Sequence, residues 1–81
     1  MTRVTQIAWG ALSPSEVVPS HKHPDMDECF YITKGQGKMK VDNQEFDLVE
    51  GVFVTVPAAA LHSLICLGDE LEFFYFGLQV F

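Results

Sequence analysis

The sequence predicts an all-β chain folded as a single small barrel over residues 1–81, and three observations carry that reading. No helical period of apolar residues persists anywhere along it. Short runs rich in aromatic and β-branched residues alternate with turn signals, among them Gly10, Gly35, Gly37, Gly51 and Gly68. The chain's three histidines, His21, His23 and His62, are split between two distant segments, and only a closed or strongly curved sheet brings such segments together.

The elements follow in order. Residues 4–9 read as a first strand and residues 10–15, with Pro14, as a loop. Residues 16–23 are extended, and Pro19 predicts an edge or bulge there because proline cannot donate to a ladder. Pro24 to Asp27 supply turn chemistry, and residues 29–33 form a strong strand. Gly35-Gln36-Gly37 reads as a turn. Residues 38–41 then alternate, with Met39 and Val41 on one face and Lys38 and Lys40 on the other. Asp42-Asn43-Gln44 is a hairpin turn, residues 45–49 return, and Glu50-Gly51 leads into residues 52–56. After a loop at 57–60 comes a strand with His62, Leu64 and Cys66, a turn at Gly68-Asp69, and a last strand over 71–81. That strand is apolar on both sides: Leu71, Phe73 and Tyr75 share one, while Phe74, Phe76, Leu78 and Val80 share the other. Two readings explain it, a core strand covered by the N-terminal segment or a homodimer interface, and the short chain favours the interface.

Composition bounds the partners. With 81 residues the chain is one domain, and 48% hydrophobic residues make it globular. Five basic against eleven acidic residues give a net charge of −6, which argues against nucleic acid and anionic membranes. No apolar run is long enough for a bilayer-spanning helix, and the N-terminus has no signal-like block, so the cytoplasm is the expected location. Cys29 adjoins Glu28 and so points away from its face, whereas Cys66, four residues after His62, shares the histidine's face. Thiols on opposite sides of a sheet are expected to stay reduced.

The histidines carry the chemistry. In a strand, His21 and His23 project to the same side. Chain reversal at 24–27 starts Glu28 on a neighbouring strand, within reach of that side. Two imidazoles, a carboxylate and a distant third imidazole make a ligand set for one divalent transition metal, with iron, manganese, nickel and zinc as candidates. A lone His-x-His is a weak signal. Here every histidine of the chain falls into the pattern.

These residues resemble the two motifs of the cupin superfamily. The first motif, G-x5-H-x-H-x3,4-E-x6-G, is matched by His21, His23, Glu28 and Gly35. The second, G-x5-P-x-G-x2-H-x3-N, is matched by Gly51, Pro57 and His62. Ser15 stands where the first motif opens with glycine, Ala59 replaces the inner glycine of the second, and Cys66 replaces its closing asparagine. The resemblance implies a cupin-type β-barrel, the jelly roll or double-stranded β-helix. It also implies a metal held by His21, His23, Glu28 and His62.

With the histidines committed, few acid–base groups remain. Tyr31 points away from the site by parity with Glu28, Tyr75 is within reach of the cavity, and Asp25 and Asp27 read as solvated turn residues. Phe30 and Ile32 follow Glu28 on its inward side, joined by Met39, Val41 and Leu64. Cys66 reads as a small core side chain or an extra soft ligand. Such an apolar cavity around one metal suits a small chelating substrate. Three functions follow: a metalloenzyme of dioxygenase, isomerase or lyase type, a non-catalytic small-molecule or metal sensor module, and a structural remnant. The first is preferred.

Overall fold

The computed structural model describes residues 3–79, and these form six strands with no helix. They are β1 (Arg3–Leu12), β2 (Val17–His21), β3 (Met26–Val41), β4 (Gln44–Val49), β5 (Phe53–Val56) and β6 (His62–Gln79). Every pairing is antiparallel. Val80 and Phe81, assigned by sequence to the last strand, lie outside the described residues.

The long strands β3 and β6 organise the molecule, because each serves two layers. The first layer runs β1, the second half of β6, the first half of β3, then β5, with Trp9 beside Phe74, Phe74 beside Tyr31, and Tyr31 beside Phe53. The second layer runs β2, the first half of β6, the second half of β3, then β4, with Val18 beside Leu64, Leu64 beside Met39, and Met39 beside Phe46. The layers face one another across one core that holds Phe30 and Phe73 from the first and Met39, Leu48 and Leu64 from the second. This is a jelly roll, and its hydrogen-bonded path keeps open edges among the described residues.

Two turns expected from the sequence are bends inside strands. β3 runs unbroken through Gly35-Gln36-Gly37, and β6 runs unbroken through Gly68-Asp69. The β3–β6 register shifts between Ile32 and Lys34 and again between Gly35 and Gly37. Such bulges let a strand leave one layer and enter the other. Glycine is needed there for close approach: a Cβ on Gly35 would strike the Glu70 carbonyl oxygen, and one on Gly37 would lie 2.5 Å from the Ile65 carbonyl oxygen. The first strand also extends past Gly10 to Leu12, since β6 continues to pair with it there. At Pro19 the β2–β6 register shifts, as a missing donor requires.

Candidate metal centre

β2 and β6 place the first two donors side by side, because His21 and His62 are register partners in the second layer. Glu28 comes from the opposite layer, where β3 pairs it with Val56 and Gly77. The donors therefore meet across the sandwich, rather than from adjacent strands as the sequence implied. His23 lies just beyond the end of β2, not on the strand, yet its ring centre is 5.2 Å from that of His21. The backbone there is held from the other side, where the Ala59 N–H donates to the His23 carbonyl at 2.6 Å.

Glu28 and His62 are 5% and 2% exposed, so the heart of the cluster is buried. His62 Nε2 lies 2.8 Å from Glu28 Oε1, His23 Nε2 lies 3.6 Å from Oε2, and His21 Nε2 lies 4.0 Å from Oε1. One ligand atom from each of the four residues can be chosen so that all lie within 4.8 Å of one another. Donors that share one ion at roughly 2.0–2.2 Å lie at most about 4.4 Å apart, so the side chains need close by only a few tenths of an ångström to hold one.

The ring tautomers are set by the backbone. His21 Nδ1 donates to the Pro19 carbonyl at 2.9 Å, and His62 Nδ1 donates to the Ala60 carbonyl at 3.1 Å. Each bond reaches two residues back and leaves Nε2 aimed at the cluster. Metal-binding histidines are commonly oriented this way. His62 has an acceptor at both nitrogens, which favours its doubly protonated form when no ion is bound. Burial opposes its charge, but the hydrogen bond to Glu28, the Ala60 carbonyl and the Glu28 charge outweigh that and raise its pKa above the ordinary 6.5. Burial likewise opposes the charge on Glu28, yet the His62 hydrogen bond and the three neighbouring rings lower its pKa below 4.5. A cation at the centre replaces that proton without disturbing either carbonyl bond.

A cavity of about 380 Å³ opens beside the donors. Phe30, Leu64 and Tyr75 line it, as does Phe73, which alternation on β6 already placed on the side of Tyr75. Gln6, Leu12 and Val18 also line it and escaped the sequence reading, because nothing in the sequence folds β1 and β2 over the site. Ile32, Met39 and Cys66, expected at the cavity, are packed into the core instead, and Val41 packs against that core. Ile32 and Met39 are fully buried, so neither side chain is open to the cavity. Cys66 has its Sγ 3.5 Å from the Gly68 carbonyl, and Cys29, also a free thiol, occupies the opposite face of its strand pair. Asp27, read as a solvated turn residue, accepts the Ala58 N–H at 2.7 Å and ties down the loop that precedes His62. Asp25 is exposed in the bend before β3.

Residues 8–77 match the family described as the cupin domain. An uncharacterized protein of Methanocaldococcus jannaschii is 33% identical over 49 residues, which cover 60% of this chain and 39% of that protein. The chain thus spans about two fifths of that relative's length. A predicted oxalate decarboxylase of Thermotoga maritima superposes with a TM-score of 0.90 at 24% identity, covering 95% of this chain and 68% of that one. A cupin superfamily protein of Desulfitobacterium hafniense superposes at 0.84 and 21% identity, covering 98% and 76%. These structural likenesses bear on the fold alone.

Proposed function

The chain belongs to the cupin domain family, and from that premise we propose that it is a small-molecule metalloenzyme of the dioxygenase, isomerase or lyase type. It holds one divalent transition metal through His21, His23, Glu28 and His62. The observation that supports this most is the convergence of the four donors within 4.8 Å at the edge of a cavity. When bound, such an ion supplies Lewis-acid polarisation or electron transfer. The chain's own residues do the rest. Pro19 and Ala60 hold the rings of His21 and His62, Phe30 and Phe73 keep water from one wall, and Gln6 and Tyr75 offer polar contacts to a substrate. All three histidines are donors, so no free imidazole is left to carry protons.

Elemental analysis of tag-free protein, followed by turnover and oxygen-uptake assays with small chelating metabolites, tests the proposal. One ion per chain and turnover lost to a chelator and restored by a divalent ion are expected. Equal metal content in wild type and a His21→Ala/His62→Ala variant would remove the site altogether. A second reading, a non-catalytic binding or sensor module, is favoured by the scarcity of polar groups at the cavity: among the described residues only the side chains of Gln6 and Tyr75 contribute besides the donors. Ligand-dependent stabilisation of the metal-loaded protein without turnover selects it.

The functional unit in this proposal is a homodimer. The outer face of the first layer carries Ile7, Trp9 and Phe53 at 65%, 61% and 55% exposure, with Tyr31 and Phe74 between them. The charged side chains of this face are at its rim, Asp27 at one end of the apolar rows and Lys34 with Glu70 and Glu72 at the other. A flat apolar patch with an uncharged centre matches a second copy of itself about a two-fold axis, and homodimer interfaces are apolar in this way. The free thiols accord with a reducing compartment such as the cytoplasm. Among the described residues no helix is long and apolar enough to cross a membrane.

A further inference from the structure

We infer that the cavity beside the donor cluster selects a planar, singly charged oxygen chelator about one ring in size, whose unsaturated body lies against Phe30, Phe73 and Tyr75. The inference rests on the metal-site reading above and goes beyond it to the class of ligand.

Size sets the first limit. Benzene fills an apolar cavity of about 150 Å³. A cavity of about 380 Å³ therefore takes one ring with its chelating oxygens and a small substituent, but not two fused rings and a sugar. Charge sets the second. A divalent ion held by three neutral imidazoles and the Glu28 carboxylate leaves a single positive charge. Among the described residues neither lysine nor arginine lines the cavity. A monoanion is neutralised there. The second charge of a dianion faces apolar wall, and an unpaired charge in such surroundings is costly.

The wall sets the third limit. Phe30 and Tyr75 stack with centroids 5.7 Å apart and an interplanar angle of 23°, and Phe73 lies 5.8 Å from each. Phe30 is also 6.2 Å from the His62 ring. The aromatic wall thus continues from the donors into the cavity, so a planar ligand meets ring surface along its length. Gly10 makes room for this wall, since a Cβ there would lie 2.5 Å from Phe73 Cε2.

Calorimetric titration of the zinc-loaded full chain tests the inference with two probes. Maltol is a one-ring chelator that binds as a monoanion through two oxygens, and oxalate is a ringless dianion with the same number of donor atoms. Each affinity is referred to the same probe's affinity for free zinc, and zinc is counted in every complex. Maltol should be preferred by wild type. Tyr75→Leu and, as a second variant, Phe73→Leu should weaken maltol about tenfold while leaving oxalate within about twofold. Val18→Lys, which places a cation at the cavity, should strengthen oxalate about tenfold. A wild-type preference for oxalate overturns the inference, as does unchanged maltol affinity in both ring variants at full zinc content. Wild-type protein that retains no zinc overturns the metal-site reading itself, which is a different and separately visible result.

Discussion

The inner and outer faces of the first layer are made from the same strands and nearly the same kinds of residue. On β3 and β6, Phe30, Phe73 and Tyr75 face the cavity, and their immediate neighbours Tyr31, Phe74 and Phe76 face outward. Hydropathy does not separate the two. What separates them is the opposing surface. Across from the inner face stand His21 and His62 of the second layer, and Glu28 completes the group at the edge of the wall. None of the described residues stands across from Trp9 and Phe53, which are exposed. In the proposed reading, the face bordered by the donor group is the site wall and the face without one is the dimer interface. The two faces should therefore respond to mutation in different observables.

The largest effect belongs to the donors. His62→Ala should weaken metal binding by at least about 100-fold, since even supporting partners of metal ligands are commonly worth 10–100-fold. The metal-free variant should also lose about 3 kcal/mol of stability, because Glu28 is left buried without its closest partner. Glu28→Gln should cost less metal affinity, as glutamine keeps an oxygen donor and gives up only the charge. Metal titration and chemical denaturation measure both. Equal losses in the two variants would mean that Glu28 acts as more than one donor among four.

On the outer face, Trp9→Lys or Phe74→Lys should shift the protein from dimer to monomer in sedimentation, weakening association by roughly 30-fold or more, as loss of a central aromatic anchor does. Metal content should not change. Wild type that sediments as a monomer at micromolar concentration removes the interface, and a charge variant that loses metal shows that the two faces are coupled.

Protonation sharpens the comparison from the inner side. In chelator-treated protein the lowered pKa of Glu28 contributes stability above pH 4.5, and this is lost as pH falls through the lowered value. The raised pKa of His62 contributes stability that is complete below pH 6.5 and lost as pH rises through the raised value. The metal-free melting temperature should therefore be highest between those limits. The gain on adding metal should grow with pH above them, because the ion replaces the His62 proton. A metal-free profile that is flat from pH 5 to 8 would show that the pair is not coupled to folding.

The sequence made the cluster legible because His21, His23, Glu28 and His62 stand at motif spacing and include every histidine of the chain. It did not reveal that Glu28 reaches the histidines from the facing layer, since pairing partners are fixed by tertiary contacts. The same cause hid the bends. At Gly35 and Gly37 the missing side chain marks a close approach of β6 rather than a chain reversal, and only the partner strand distinguishes these. Strand alternation near Phe73 and Tyr75 was readable because a strand's two faces follow from parity alone. Gln6 and Leu12 were not, because no local signal folds β1 over the cavity.

The smallest effect concerns the motif departures. The four positions where the motifs call for glycine all have positive φ: Ser15 at 66°, Gly35 at 91°, Gly51 at 91° and Ala59 at 68°. The loop geometry is thus kept where the glycine is not. Ser15 is held there by its N–H donating to the Cys66 carbonyl at 3.2 Å, and Ala59 by its bond to the His23 carbonyl. A residue with a Cβ in the left-handed region costs about 1–2 kcal/mol, and glycine gives back roughly 0.5–1 kcal/mol through the entropy of the unfolded chain. Ser15→Gly and Ala59→Gly should each stabilise by about 0.5 kcal/mol, the difference between those two costs, or roughly 2–4 °C in melting temperature for a domain of this size. Gly35→Ala, which meets both an unfavourable φ and the Glu70 carbonyl, should destabilise far more. Metal affinity should stay the same in the Ser15 variant, while Ala59, bonded to His23, tests whether the loop also tunes the site. Lower melting temperatures in both glycine variants would show that the Ser15 and Ala59 side chains make contacts worth more than the strain they carry.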